Sequence, residues 1–77
     1  MNPTKKLIRE VFENVFSKTF NFDSEFTRAQ EESWDSLQHI RLIVALEAAI
    51  NRALTDEEIT KINSLQSALL TLSAEDN

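Results

Sequence analysis

The chain of 77 residues contains no glycine and only one proline. Tight hairpin turns and phosphate-binding loops both depend on glycine, because their backbones need positive φ angles or a close approach to the ligand. A chain of this length has room for one domain with a modest core, and a pocket enclosed on all sides is not expected. We therefore predict one all-α domain over residues 1–77, folded as a four-helix bundle.

The charge and the amino-acid content restrict the partners. The formal net charge is -5 and the sequence pI is about 4.7, so nucleic acid and anionic lipid would be repelled, and basic or neutral protein partners fit better. The absence of cysteine excludes disulfides, thiolate metal sites and cysteine nucleophiles. No N-terminal segment resembles a signal peptide, and no window approaches the roughly 20 apolar residues that cross a bilayer. We expect a cytoplasmic monomer without membrane insertion.

Apolar residues recur at helical spacing in the N-terminal part of the chain and predict a first helix from Thr4 to Thr19. Pro3, immediately before this range, is also favourable at a helix start. Residues 20–33 contain asparagine, aspartate, serine and threonine among scattered phenylalanines, which indicates a long ordered loop. We expect Phe22 and Phe26 to anchor this loop on the core.

The second predicted helix runs from Ser36 to Ile50, with Asp35 as its N-cap and Asn51 as a residue that tolerates the left-handed conformation at its end. On a helical wheel its apolar residues lie on two sides. One side has the width of a normal core-facing stripe and comprises His39, Leu42, Ile43, Leu46 and Ile50. The opposite side carries Leu37, Ile40, Val44 and Ala48, together with Arg41 and Asn51.

The remaining chain is too short to bury both sides of this helix. The second side therefore consists either of isolated surface residues, which are common on proteins, or of a docking stripe for a partner. This side begins next to Ser36.

The segment "TDEEITK" at residues 55–61 predicts a short third helix that begins at a Thr or Asp cap. Its acids Asp56, Glu57 and Glu58 interact with the helix dipole, belong to a partner-facing surface, or do both. The last helix starts at a cap formed by Asn63 or Ser64 and is expected to bury Leu65, Ala68, Leu69 and Leu72. The tail at residues 74–77 is expected to fray.

Three segments of the chain stand in the register of a known family. The motif "DSL" at residues 35–37 opens the second helix, "ALE" at residues 45–47 lies near its end, and "LTDEEITKINSLQSALLTL" follows at residues 54–72. In this register the sequence resembles the acyl carrier proteins and related stand-alone carrier domains over most of its length. The resemblance implies a four-helix bundle of acyl-carrier type with a long first loop and a short third helix.

The resemblance also implies a cofactor and a set of partners. In the family, the serine of the DSL motif carries 4′-phosphopantetheine, transferred from coenzyme A by a phosphopantetheinyl transferase, and this serine is Ser36 here. Asp35 would serve the transferase in metal binding, cap the helix, or do both. A carrier catalyses nothing itself. It holds acyl or aminoacyl groups as thioesters and presents them to acyl-loading and acyl-processing enzymes in fatty-acid, polyketide or related biosynthesis.

The partner-binding surface implied for this chain comprises Leu37, Ile40, Arg41, Val44, Glu47 and Ala48. Fatty-acid carriers tend to bear several acids along the second helix. In this chain Arg41, Ala48 and Ala49 stand at positions that are often acidic, and Glu47 is the main acid that remains. Carriers also commonly have glycine where Ser33 stands, so the geometry of this loop is open. These departures, with "WDSL" and the histidine that follows it, favour a carrier of a specialised pathway such as polyketide, nonribosomal peptide or cell-surface glycan assembly.

The alternative interpretation is an unmodified, carrier-like helical interaction module, in which Ser36 only caps the helix and the apolar stripe binds a partner directly. An EF-hand is excluded because no twelve-residue loop with alternating oxygen ligands and a central glycine exists. No nucleophile–base pair or metal cluster of an enzyme can be assembled from these residues. We expect His39 to be a partly buried histidine bonded to the long loop, and Trp34 to pack over that loop or to lie near the prosthetic arm.

Overall fold

The computed structural model of this protein describes residues 4–73, and these residues form four α-helices and no β-strand. The helices are α1 (Lys5–Phe16), α2 (Ser36–Ile50), α3 (Asp56–Lys61) and α4 (Leu65–Leu72). Helix α1 packs against α2 and α4, and α3 packs against α4. The prediction of an all-α fold with four helices is confirmed, while Pro3 and the tail at residues 74–77 lie outside the described residues. None of the described helices is long and apolar enough to span a bilayer.

Helix α1 ends before the predicted residue Thr19. Ser17 adopts the left-handed conformation with φ 55°, and the Lys18 amide donates to the Glu13 carbonyl at 3.2 Å. The carboxylate of Glu13 then accepts the Phe20 amide at 2.9 Å. The predicted extension of the helix to Thr19 is wrong, because the left-handed residue ends the helix and Glu13 holds the chain that leaves it.

Five aromatic side chains form the centre of the core. All five are buried, and they are Phe12, Phe16, Phe20, Phe26 and Trp34. The shortest distances between ring centroids are 4.6 Å for Phe20 and Phe26 and 4.8 Å for Phe16 and Phe26. Such tilted and edge-on pairs contribute about 0.5–1.5 kcal/mol each beyond the area that they bury. The core therefore depends on the long loop as much as on the helices.

Phe20 and Phe26 anchor the loop, whereas Phe22 does not. The Phe22 side chain is 46% exposed and lies beneath the guanidinium of Arg9, whose central carbon is 4.6 Å from the ring centroid. The prediction for Phe26 is confirmed and the prediction for Phe22 is wrong. The physical reason lies in Glu13, which holds the Phe20 amide at the end of α1, so that Phe20 takes the inward position.

Two backbone hydrogen bonds attach the same loop to the connection between α3 and α4. The Arg28 amide donates to the Asn63 carbonyl at 2.8 Å, and the Leu65 amide donates to the Phe26 carbonyl at 2.9 Å. They belong to a single antiparallel bridge. The loop is ordered on its inner side by aromatic packing and on its outer side by this bridge, as the sequence predicts for a long anchored connection.

The caps of the other helices agree with the sequence. Helix α2 begins after the N-cap Asp35 and ends at Asn51, which has φ 61°. Helix α3 begins after Thr55, which forms a capping box with Glu58, and α4 begins after Ser64. The sequence allowed Thr or Asp as the cap of α3 and Asn63 or Ser64 as the cap of α4, and in both helices the hydroxyl residue is the cap. The four residues that α4 was predicted to bury are buried, namely Leu65, Ala68, Leu69 and Leu72.

Candidate attachment and docking site

Ser36 is the first residue of α2 and is exposed. The preceding residue, Asp35, is the N-cap, and its carboxylate accepts the Gln38 amide at 2.9 Å. The Asp35 carbonyl accepts the His39 amide at 2.8 Å, which starts the helical ladder. The Ser36 hydroxyl makes no hydrogen bond within residues 4–73. Since Asp35 caps the helix, the hydroxyl of Ser36 is left available to an outside reactant.

The backbone at this helix start suits a negatively charged group on Ser36. Among the described residues, the amides of Ser36 and Leu37 have no acceptor, and the positive end of the helix dipole lies here. A phosphodiester at an exposed first turn gains roughly 0.3–1 kcal/mol from this position. The residues present therefore fit a phosphate-linked group.

The loop immediately before Ser36 does not need glycine. Positive φ angles occur within residues 4–73 at Ser17 and Asn51, and Ser33 is not among them. The hydroxyl of Ser33 donates to the Glu31 carboxylate at 2.6 Å, and the Lys18 ammonium lies 3.1 Å from the same carboxylate. The hydrogen bond from Ser33, followed by that from Lys18, lowers the pKa of Glu31. The loop geometry that the sequence left open is thus built by polar side chains with ordinary backbone angles.

The apolar stripe on α2 faces solvent, as predicted. Leu37, Ile40 and Val44 are 58%, 60% and 59% exposed, and Arg41 and Ala48 are exposed beside them. We call these five residues the outer face of α2. The opposite side enters the core through Leu42, Ile43 and Leu46, while His39 and Ile50 are half-buried. The wheel derived from the sequence is therefore confirmed on both sides of the helix.

Glu47 has a role that the sequence did not reveal. It is half-buried, and its carboxylate accepts the Leu54 amide at 2.8 Å, so it holds the connection between α2 and α3. Ala49 is also half-buried and packs against the core. Helix α2 contains no charged residues besides Arg41 and Glu47. Arg41 has no ion-pair partner among the described residues, so the outer face carries one free positive charge.

Trp34 and His39 lie on either side of Ser36 in sequence and are joined in space. The indole Nε1–H of Trp34 donates to Nδ1 of His39 at 2.9 Å. Trp34 is 2% exposed, and His39 is half-buried. The predicted bond between His39 and the loop is confirmed, and Trp34 belongs to the core. Its deep burial was not foreseen, although the loss of water from an indole N–H requires an acceptor of this kind.

The acids of α3 divide into two groups. Asp56 and Glu57 are exposed, whereas Glu58 binds Arg52 with an N–O distance of 2.8 Å. No group of three or more His, Asp or Glu side chains in residues 4–73 could hold a metal ion. A shallow cleft beside the loop is lined by residues such as Phe26, Thr27 and Asn63 and includes neither Ser36 nor the outer face.

A scan against protein-family models gives no match for this sequence, and a search of curated proteins gives no significant match. The resemblance to the acyl carrier proteins therefore rests on the register of residues 35–72 in the sequence.

Proposed function

We propose that this protein is a carrier of acyl-carrier type, with 4′-phosphopantetheine attached to the Ser36 hydroxyl. The observation that supports this most strongly is the position of Ser36, which is exposed at the first turn of α2 and lies at one end of an exposed apolar face. A transferase must reach this oxygen from solvent. The carrier need not supply a general base or a metal ion, since the transferase can provide both.

The attached group would supply a terminal thiol on a flexible arm, on which acyl or aminoacyl cargo is held as a thioester. The residues of this chain have simpler tasks. Ser36 provides the attachment oxygen, and Asp35 fixes the first turn by accepting the Gln38 amide. The free amides of Ser36 and Leu37 remain available to the phosphodiester. In this proposal the chain is a substrate of its partner enzymes and not an enzyme itself.

The outer face of α2 supports docking of these enzymes. Three aliphatic side chains about one helical turn apart form an apolar ridge, and Arg41 lies beside it without an ion pair in the described part of the chain. Helix-in-groove recognition uses such a spacing of apolar residues. The carboxylate of Glu47, already bonded to Leu54, adds little free negative charge. We therefore expect partners with an apolar groove whose rim is neutral or acidic, which agrees with a specialised pathway.

The test is the intact mass of the protein after incubation with coenzyme A and a phosphopantetheinyl transferase of broad specificity. We expect the wild type to gain one phosphopantetheine and the folded variant Ser36→Ala to gain none. Ser33→Ala is the matched control, because it removes an exposed hydroxyl three residues away. It gives up the bond to Glu31 but leaves the Ser36 hydroxyl in place, so the gain should persist. Modification that persists in Ser36→Ala, or that is lost in Ser33→Ala alone, would overturn the assignment of the site.

A second candidate function is supported by the outer face alone. Leu37, Ile40 and Val44 would be exposed whether or not Ser36 is modified, so the same ridge could bind a partner directly in an unmodified interaction module. A wild-type protein that stays unmodified with several transferases, while its fold is intact, would favour this module over the carrier.

A further inference from the structure

The hydrogen bond between Trp34 and His39 closes a small ring of chain that contains Ser36. Its N–N distance is 2.9 Å, and the two ring planes are inclined by only 27°. At this shallow angle the indole N–H can point at the Nδ1 lone pair, which lies in the imidazole plane. Because Nδ1 accepts a hydrogen bond, the proton of the neutral imidazole must reside on Nε2.

His39 also interacts with α3 and with the loop. The backbone of Ile59 in α3 favours the protonated ring. Arg28 in the loop is the charged side chain whose field acts on the imidazole. Burial is the largest influence and lowers the pKa of His39 below its usual range, Arg28 lowers it further, and the Ile59 backbone opposes both. The balance favours a neutral ring that accepts the hydrogen bond from Trp34.

We infer that His39 is a positioning residue, whose neutral ring ties Trp34 to the first turn of α2 and thereby fixes the segment that presents Ser36. Ser36 lies two residues after Trp34 and three before His39, so the hydrogen bond constrains it from both sides. The consequence for modification of Ser36 rests on the proposed function. The constraint itself is a property of the unmodified chain.

Protonation would break this arrangement for a simple reason. A proton on Nδ1 would face the indole N–H of Trp34, so that two donors would oppose each other. Trp34 is 2% exposed and could not exchange its lost acceptor for water without leaving the aromatic core. A protonated His39 must therefore separate from Trp34, which releases the segment around Ser36. The position of Ser36 should follow the charge state of His39.

The direct test is an NMR titration of the unmodified full-length protein, which contains one tryptophan and one histidine. Above pH 7 we expect His39 to carry its proton on Nε2 and the Trp34 indole N–H to be hydrogen-bonded. As the pH is lowered, the indole signal and the amides of Asp35, Ser36 and Leu37 should shift with the midpoint of His39. A proton on Nδ1 at neutral pH, or an indole signal that does not follow the imidazole, would overturn the inference.

Two variants extend the test to modification. His39→Asn places an uncharged acceptor oxygen at the position of Nδ1, whereas His39→Leu fills space without an acceptor. At pH 7.5, His39→Leu should lower kcat/KM for modification of Ser36 about fivefold, mainly through KM, as expected for an unsatisfied buried donor. His39→Asn should stay within about twofold of the wild type, since it restores the acceptor.

The pH profile separates positioning from packing. Relative to His39→Asn, the wild type should lose kcat/KM as the pH is lowered through the midpoint found by NMR, because only its acceptor can be protonated. Equal profiles, or a wild-type level of activity in folded His39→Leu, would overturn the positioning role. If His39→Leu does not fold, the titration and the His39→Asn profile still decide. If Ser36 is not modified in any variant, the proposed function fails, and the titration alone decides whether His39 fixes the segment.

Discussion

Both carboxylate oxygens of Glu58 bind the guanidinium of Arg52, with N–O distances of 2.9 and 2.8 Å. The same carboxylate accepts the Thr55 amide at 2.9 Å in the capping box of α3. One side chain thus joins the start of α3 to Arg52, two residues after the end of α2. The hydrogen bonds from Arg52, followed by that from Thr55, lower the pKa of Glu58 to about 2.

This lowered pKa predicts acid sensitivity. The pKa of Glu58 in the folded state lies below the reference value of 4.5. The ionised carboxylate therefore contributes its full stabilisation of the fold above about pH 4.5, and this contribution is lost as the pH falls to about 2. Glu58→Gln keeps an oxygen for Thr55 but removes the charge. We expect Glu58→Gln to lower the free energy of unfolding by about 0.5–1 kcal/mol at pH 7, since the pair is partly exposed. Between pH 7 and pH 3 the variant should lose less stability than the wild type, because it has no carboxylate at this position to protonate.

Urea unfolding of the wild type and of Glu58→Gln at pH 7 and pH 3 measures this difference in acid sensitivity. The control is Glu57→Gln, because Glu57 is exposed and lies 3.5 Å from Lys61, so its removal should have little effect at either pH. Identical acid losses in wild type and Glu58→Gln would contradict the prediction.

The two sides of α2 predict different costs of truncation. Leu46 is fully buried, and Leu46→Ala should lower the free energy of unfolding by about 2–5 kcal/mol by leaving a cavity. Val44 is on the outer face, and Val44→Ala should cost well under half as much. Urea unfolding at pH 7 checks this pair, and equal losses would show that the helix is rotated differently in solution.

The loop provides a matched pair of phenylalanines. Phe26 contacts four other aromatic rings in the core, so Phe26→Ala should cost about 3–5 kcal/mol in the free energy of unfolding. Phe22 is half-exposed and contacts Arg9, and Phe22→Ala should cost about 1 kcal/mol or less. Thermal or urea unfolding distinguishes the two. A larger loss for Phe22→Ala than for Phe26→Ala would show that Phe22 anchors the loop after all, as the sequence predicted.

Local signals in the sequence were sufficient for much of this structure. Asp35 and Asn51 mark the ends of α2 because capping depends on a side chain and its nearest backbone. The periodicity of apolar residues identified the core side and the outer face of α2, since a helix fixes the direction of each side chain. The exposure of Ser36 followed from its place at the first turn.

Side-chain contacts made outside the regular helical spacing were not predictable in this way. Glu13 reaches the Phe20 amide and Glu47 reaches the Leu54 amide, each across the end of a helix. No periodic pattern specifies such bonds, yet the first holds the chain that leaves α1 and the second removes Glu47 from the free charges of α2. The bond between Trp34 and His39 depends on how the long loop packs, which also lies beyond local patterns.

The last prediction concerns the charge of the outer face. If Arg41 and Ala48 reflect partners that are less basic than the enzymes of general fatty-acid synthesis, the phosphopantetheine-bearing protein should be a poor substrate for those enzymes. The variant Arg41→Glu/Ala48→Glu removes one positive charge and adds two negative ones on an exposed surface. Ala49 is left unchanged, because it packs against the core and a glutamate there would disturb the fold.

Malonyl transfer by a malonyl transferase of fatty-acid synthesis, at low and high ionic strength, measures the effect. We expect the double variant to be the better substrate at low salt, chiefly through faster association with a basic patch. The advantage should shrink as salt rises, because exposed charges are screened over about 10 Å at 0.1 M salt and about 3 Å at 1 M. Arg41→Gln/Ala48→Gln is the matched control, since it changes size without adding negative charge. The glutamine control lowers the charge by one and the glutamate variant lowers it by three, so the control should gain less. A gain that does not depend on salt, or an equally large gain in the glutamine control, would contradict the added negative charges as the basis of partner choice.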